Sequence, residues 1–472
     1  MQTEQQRKTI LTVLFLGVLM GALDIAIVAP ALPAVQRYFN VSDRALTWVF
    51  SIYVLFNLIG TPLMAKLSDR FGRRTIYLAD VALFALGSLL VALTPASLFP
   101  LLLAGRALQG FGAGGVFPVA SAVIGDTFPP EKRGGALGLI GAVFGLAFLI
   151  GPLLGGIILT FSTWELLFLI NLPLAALVMV LGYRVLPQQP AAQAPAFDWT
   201  GMLALSLLLG AFAYGINQID TENFMGSLLS LQVWPFLLAA AALLAVFIRV
   251  EKRAADPVLR LGLFTSRQTV LASALAAGAG IGEVGMVFIP ALAVAALPGL
   301  VDKHTSSYLL MPVVLAMGIG SPLVGRFLDR FGSKTVVMVG TILLALGALT
   351  LSFWSTVFAL FITAGVTIGL GLSALLGAPV RYIMLNEASA SERSAAQGAI
   401  ALFTSIGQLI SSALVGAIAA SSGGGVAGYG AAYLSIGILA LILVLLTFGL
   451  KNHAEEMQTA PQSGELAPAQ GK

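Results

Sequence analysis

Residues 67–80 read LSDRFGRRTIYLAD, and residues 328–341 read LDRFGSKTVVMVGT. The Asp-Arg-Phe-Gly core returns 260 positions later, from Asp69 to Asp329. At the same offset Arg74-Thr75 matches Lys334-Thr335, and Ala85-Leu86-Gly87 matches Ala345-Leu346-Gly347. These stretches concentrate charge in a chain that is 58% hydrophobic and only 10% charged, where a soluble domain carries about a quarter charged residues. The mean hydropathy of +0.96, together with many apolar runs of the roughly 20 residues a helix needs to cross a bilayer, excludes an ordinary soluble protein. The alternating pattern of a membrane barrel is absent. The expected fold is an all-α polytopic membrane protein with two pseudo-symmetric halves. Parallel repeats of this kind are the plan of a transporter whose site lies at the midplane between them.

Composition removes several functions. The chain has no cysteine, so disulfides, thiolate metal sites and thiol nucleophiles are excluded. His304 and His453 lie outside the apolar runs and form no ligand cluster. Gly110-x-Gly112-x-x-Gly115 spells a dinucleotide fingerprint, but inside a predicted span with no strand before it. No G-x-x-x-x-G-K-[ST] phosphate loop occurs. No catalytic residue, cofactor or metal is expected, and the net charge of +4 is a topology signal rather than a nucleic-acid surface.

The apolar runs predict fourteen spans, at roughly 11–36, 45–66, 75–95, 98–125, 134–160, 165–186, 198–216, 233–250, 267–297, 304–326, 335–352, 356–381, 394–420 and 429–450. The first run is too long for a signal-peptide core and reads as a retained helix. With both termini inside, outer loops hold only Arg37, Arg44 and Lys303 of the 25 basic residues, as the positive-inside rule requires. The expected organisation is a six-helix bundle at 1–186, a linker with two inserted helices at 187–260, a second six-helix bundle at 261–450 and a disordered cytoplasmic tail at 451–472. The inserted pair has no repeat partner and is expected at the periphery.

Charge within the apolar runs marks candidate sites, because it is costly there. Asp24 lies about thirteen residues into the first span, near the midplane at about 1.5 Å per residue. Glu283 is similarly deep in the span that opens the second half. Arg106 lies in the fourth span, and its repeat position holds Val366. A midplane carboxyl whose arginine contact changes between two states takes up and releases a proton; Asp24 is the first candidate for this and Glu283 the second. Arg106 is equally able to neutralise Asp24 as a structural pair. Asp80, five residues into the third span, is expected to pair with Arg73 or Arg74. In the short turn, Gly72 supplies backbone freedom, Arg70 and Arg74 set topology, and Asp69 is able to accept from the free N–H groups of a helix N-terminus. Gly151-Pro152-Leu153-Leu154-Gly155-Gly156 combines a proline that removes a helix bond with small residues that permit close contact. It predicts a hinge or tight seam, facing Ser411-Ser412-Ala413.

Taken together, the motifs resemble those of the major facilitator superfamily, and within it the fourteen-helix drug:proton antiporters. The resemblance rests on LDIAIVAPALP (23–33), MAKLSDRFGRR (64–74), LLLAGRALQGFGAGG (101–115), GLAFLIGPLLGGIIL (145–159), FLINLPLA (168–175) and FDWTG (197–201). Ala65 stands where the family has glycine, and Trp164-Glu165-Leu166 where it often has Trp-Arg-Trp. The resemblance implies that Asp69 meets the span at 394–420, that Arg73 meets Asp126, and that these contacts, with Arg70 and Arg74 as further members beside their topology role and Asp329 as repeat partner, latch the halves together. It also implies proton-driven export of a small lipophilic or cationic substrate by a monomer in a cell membrane, bacterial inner membrane by type. A proton-coupled lipid exporter and a transport-inactive sensor are the alternatives.

Overall fold

The computed structural model describes residues 3–41, 43–188, 198–220, 223–301, 306–389 and 392–459. Its first half contains α1 (Glu4–Phe39), α2 (Asp43–Phe71), α3 (Arg73–Ala92), α4 (Phe99–Thr127), α5 (Pro130–Phe161), α6 (Leu166–Leu169) and α7 (Asn171–Val185). Between the halves lie α8 (Trp199–Asn217), the short α9 (Phe224–Leu228) and α10 (Trp234–Glu251). The second half contains α11 (Arg267–Gly285), α12 (Ile289–Ala296), α13 (Met311–Trp354), α14 (Phe358–Leu376), α15 (Ala378–Glu387), α16 (Arg393–Ser421) and α17 (Gly425–Thr447), followed by α18 (His453–Thr459).

Helix is the only fold available to such a chain in lipid, because each span satisfies its backbone internally. Each half has its own apolar core, around Tyr77, Phe84 and Val119 in the first and around Leu292, Leu344 and Tyr433 in the second. Large side chains such as Leu238, Ile438 and Leu445 point outward, as a lipid-facing surface requires. The halves meet along two matching seams, α5 on α13 and α16 on α2. In the first, Gly138 lies against Gly325; in the second, Gly398 lies against Ala65. All four positions correspond at the 260-residue offset, so the repeat seen in the sequence is also the symmetry of the interface.

Gly72 and Gly332 adopt φ of 95° and 78°, a region in which only glycine is unstrained. Gly72 separates α2 from α3, and Gly332 interrupts α13 at the corresponding place. Among the described residues, eleven helices are long and apolar enough to cross a membrane, or twelve if the bent pair α11 and α12 is one crossing. This is fewer than the fourteen spans expected. In that count α13 enters once, although its 44 residues reach about 66 Å at 1.5 Å each, about twice a bilayer core. The 32-residue α5 is not among the eleven.

The inserted helices α8 and α10 pack on one another, and α8 leans on α2 and α16 through Leu58, Met202, Leu205 and Leu402. The tail corrects one expectation. Residues 453–459 form a docked helix, because Glu456 finds backbone and hydroxyl donors on α13. The remainder of the tail, 460–472, and the linker at 189–197 lie outside the described residues.

Candidate functional site

The end of the molecule that carries the two repeated turns is closed by charge. The Asp69 carboxylate accepts from the backbone N–H groups of Ser394 at 3.1 Å and Ala395 at 2.9 Å. These are free donors of the first turn of α16, where the helix dipole also favours an anion. Arg73 pairs with Asp69 and with Asp126, its Nε donating at 3.0 Å to the latter, and it donates to the Ser394 hydroxyl at 2.8 Å. Arg393, the first residue of α16, completes the set by donating to Asp126 at 2.7 Å and to the Gly125 carbonyl at 2.9 Å. Arg393 was missed in the sequence, although the repeat register offers a signal: its counterpart is Arg133 at the start of α5. Arg74 lies over the Tyr183 ring, 4.2 Å from its centroid, and Arg70 lies against Phe71.

The second seam repeats this geometry. Asp329 accepts from Gly134 and Gly135 N–H, both at 2.9 Å, in the second turn of α5. Arg133 donates to the Phe128 carbonyl at 3.1 Å and approaches the Asn386 amide oxygen at 3.4 Å. Two charges have been exchanged for neutral groups, since Ser333 replaces Arg73 and Asn386 replaces Asp126. This seam is therefore held by fewer charge-assisted bonds, the stronger kind.

The Ser333 position is served instead by the tail. The buried Glu456 carboxylate accepts from Ser333 N–H at 3.0 Å and from the Ser333 hydroxyl. Burial raises its carboxyl above the usual glutamate range, and the Ser333 bonds oppose that rise in part. A docked pKa above the undocked value means that docking is strongest below the ordinary value of 4.5 and weakens as pH rises through the shifted one. Hydrogen exchange of the 453–459 amides, corrected for intrinsic rate, should therefore speed up as pH rises through the weakly acidic range. In Glu456→Gln that dependence should flatten.

A second cluster lies within the first half. Arg106 donates to Asp24 at 2.7 Å, to Gln109 Oε1 at 2.8 Å and to the Val49 carbonyl at 3.0 Å. Gln109 and Asn171 each donate to Asp24 at 3.1 Å, and Ser88 links the two amides. Tyr53 and Phe168 cover the guanidinium at 4.3 and 5.8 Å. All five polar residues are buried. A buried pair of this kind requires its lone pairs and protons to be satisfied; Gln109 and Asn171 satisfy both Asp24 oxygens together with Arg106, while Arg106 Nη2 has no hydrogen-bond partner among the described residues. Asp80 departs from expectation. It is fully buried against Gly115 with neither carboxylate oxygen hydrogen-bonded among the described residues, because Arg73 is committed to the seam and Arg74 to Tyr183.

Between the halves lies a cavity of ≈ 200 Å³. Its walls include Tyr53, Asn57 and Thr61 from the first half and Glu283, Thr404 and Gln408 from the second. Glu283 accepts from Gln408 Nε2 at 2.7 Å. Asp24 and Arg106 are not in the wall, although Tyr53, which lies over Arg106, is. The structure thus separates the three intramembrane charges, with Glu283 at the cavity and the Asp24–Arg106 pair behind it. No residue of α8 or α10 lines the cavity, and no group of His, Asp or Glu able to hold a metal occurs among the described residues.

The glycine-rich stretch of α5 packs differently from expectation. Gly151 lies against Ala26 of α1, and Gly145 against Gly318 of α13. Ser411 does not face it; its hydroxyl donates to the Ile281 carbonyl of α11 at 3.0 Å. The repeat explains this, since Ser411 is the counterpart of Gly151 and meets the helix of its own half that corresponds to α1. Gly155 is buried and Gly156 exposed, while the Pro152 side chain lies outside the described set.

Residues 14–301 and 270–471 match the family described as Major Facilitator Superfamily. The chain belongs to that superfamily. It is 37% identical over 414 residues to "Uncharacterized MFS-type transporter YfiU" of Bacillus subtilis, covering 86% of this chain and 78% of the other. It is 31% identical over 371 residues to "Multidrug resistance protein 3" of the same organism, covering 77% and 70%. To the "Tetracenomycin C resistance and export protein" of Streptomyces glaucescens it is 30% identical over 413 residues, covering 87% and 75%. Among solved structures, the human organic anion transporter MFSD10 superposes with a TM-score of 0.69 at 16% identity, over 94% of this chain and all of the other. The proton:xylose symporter XylE gives 0.68 at 16% identity, over 98% and 100%. At that identity the likeness establishes the major facilitator fold and nothing finer. With the fold assigned, the two seams, the buried Asp24–Arg106 cluster and the cavity become parts of one multi-pass membrane transporter scaffold.

Proposed function

We propose that the protein is a secondary transporter that exports lipophilic or amphipathic compounds in exchange for protons, by alternating access of the central cavity. The observation that carries the reading is the cavity itself: it lies between two repeat-related halves, has a carboxylate in its wall, and is flanked by seams made of matched helix-terminus contacts. Relatives named for multidrug resistance and for export support the direction and substrate class. The Asp69–Arg73–Asp126–Arg393 cluster and the Asp329 contact act as latches that hold the arginine-rich end closed, and α5 and α16 rock against α13 and α2 when they release. Gly151, Pro152, Gly155 and Gly156 permit that movement along α5. Glu283 exchanges the proton at the cavity, and Asp24–Arg106 anchors the wall behind it.

We further read the chain as fourteen crossings: the twelve counted with the bent pair joined, plus α5, plus the second limb of α13 beyond Gly332. An even number puts both termini on the basic, cytoplasmic side, and 1–186 and 261–450 act as the moving bundles. Proteoliposomes holding the purified chain and an internal pH dye test the whole reading. Adding a lipophilic dye should move protons against the substrate; a panel of dyes and lipids that moves none would end it.

A further inference from the structure

Two unlike charges face the same cavity without pairing. Glu283 is on α11, and Arg381 is on α15. Arg381 is 7% exposed and forms no ion pair among the described residues. Its contacts are Gln397 Oε1 at 3.4 Å and the Phe117 ring, whose centroid lies 3.9 Å from the guanidinium carbon. Its Nε has no hydrogen-bond partner. An arginine stays ionised and offers five donors in a fixed fork, so a buried fork left open implies a partner that arrives from elsewhere.

A second feature points the same way. The helical run from Phe358 breaks at Gly377, where ψ is −141°, and resumes as the ten-residue α15 with Pro379 in its first turn. Gly377 lines the cavity beside Ser373. A helix that restarts at a cavity directs free N–H groups and partial positive charge towards it, and interrupted spans of this kind mark transporter binding sites. Above the guanidinium, Phe117 and Phe144 meet edge to face at 5.3 Å, and both are in the wall.

We propose that Arg381 and the start of α15 bind the acidic group of the transported compound, and that Phe117 and Phe144 receive its flat aromatic body. The substrate class is then a lipophilic aromatic acid, with an ionised carboxylate, phenolate or sulfonate, rather than a compound with cationic charge alone. This deepens the export reading and rests on it for its physiological meaning, but the binding test does not.

The test uses the purified full chain in detergent with two dyes that differ in one group, rhodamine B with its free carboxylate and the ethyl ester of the same dye. Fluorescence anisotropy at neutral pH should show the acid binding about tenfold tighter or more, the value of one charge-assisted contact. Arg381→Gln should abolish the difference, and Arg381→Lys, a point charge without the fork, should keep part of it. Equal binding of acid and ester by the unaltered chain, no binding of either, or a preference that survives Arg381→Gln would overturn the inference. If Arg381→Gln fails to fold by size exclusion, Arg381→Lys decides: a preference equal to that of the unaltered chain overturns the role of the fork. Acid preference in binding without transport of the acid in proteoliposomes would leave the site standing and sink the export reading instead.

Discussion

Asp69→Asn should cut transport by about tenfold to a hundredfold while leaving expression and folding largely intact. The loss follows from geometry. Asparagine keeps one acceptor oxygen and presents an amide nitrogen where Asp69 now accepts from the Ser394 and Ala395 N–H groups. One charge-assisted bond at a helix N-terminus goes, worth about 1.5–3 kcal/mol, the other becomes a weaker neutral bond, and Arg73 loses the Asp69 carboxylate. Because the bonds cross between halves, their loss falls on one conformational state, and a few kcal/mol is enough to redistribute two states. The cysteine-free chain makes the shift readable. A lone Ser321→Cys, buried in the α5–α13 seam beside Gly138, should react faster with a thiol reagent in the Asp69→Asn background. Unchanged transport and unchanged labelling would reduce the turn to a topology signal. Exchanging Arg73 and Asp126 should restore transport only in part, because Arg393, which also bonds Asp126, would then face an arginine.

How much of this was readable in the sequence depends on whether a contact repeats. The contacts of the turn were legible in two ways: a carboxylate repeated at Asp69 and Asp329 beside a glycine turn has a helix terminus as its natural partner, and the family resemblance pointed to the 394–420 span and to Asp126. Arg393 and Arg133 were hidden by their ordinary look as basic residues at helix starts. Gln109, Asn171 and Ser88 were not legible either, since a neutral polar residue in an apolar run carries no sign of the face it occupies. Arg381 is the last residue of the expected 356–381 span and carried no signal there; only the break at Gly377, which depends on tertiary packing, puts it at the cavity. The start of the tail was misread because its composition predicts disorder, whereas the order of 453–459 comes from Glu456 meeting Ser333. Asp80 shows the opposite failure: sequence proximity to Arg73 and Arg74 suggested a pair, and stronger partners elsewhere took both arginines.

The proton route turns on two carboxylates in different settings. Glu283 borders the cavity and receives one donor, Gln408. Asp24 is held by Arg106, Gln109 and Asn171 behind the wall. Glu283→Gln should therefore abolish substrate-driven proton movement with little change in thermal stability, because an isosteric amide can still accept from Gln408. Asp24→Asn should act differently. It leaves Arg106 charged, fully buried and without its counter-ion, and breaking such a pair from one side costs about 3–5 kcal/mol. Coupling and stability should then fall together. The double variant Asp24→Asn with Arg106→Gln separates the two roles, since removing both charges of a buried pair is often nearly neutral for folding. Recovered stability with recovered proton movement would make Asp24 an anchor and leave the proton to Glu283. Recovered stability without proton movement, beside a Glu283→Gln variant that still couples, would give the proton to Asp24. If both stable variants still move protons with substrate, coupling through these carboxylates is wrong, and the unpartnered Asp80 is the next group to replace.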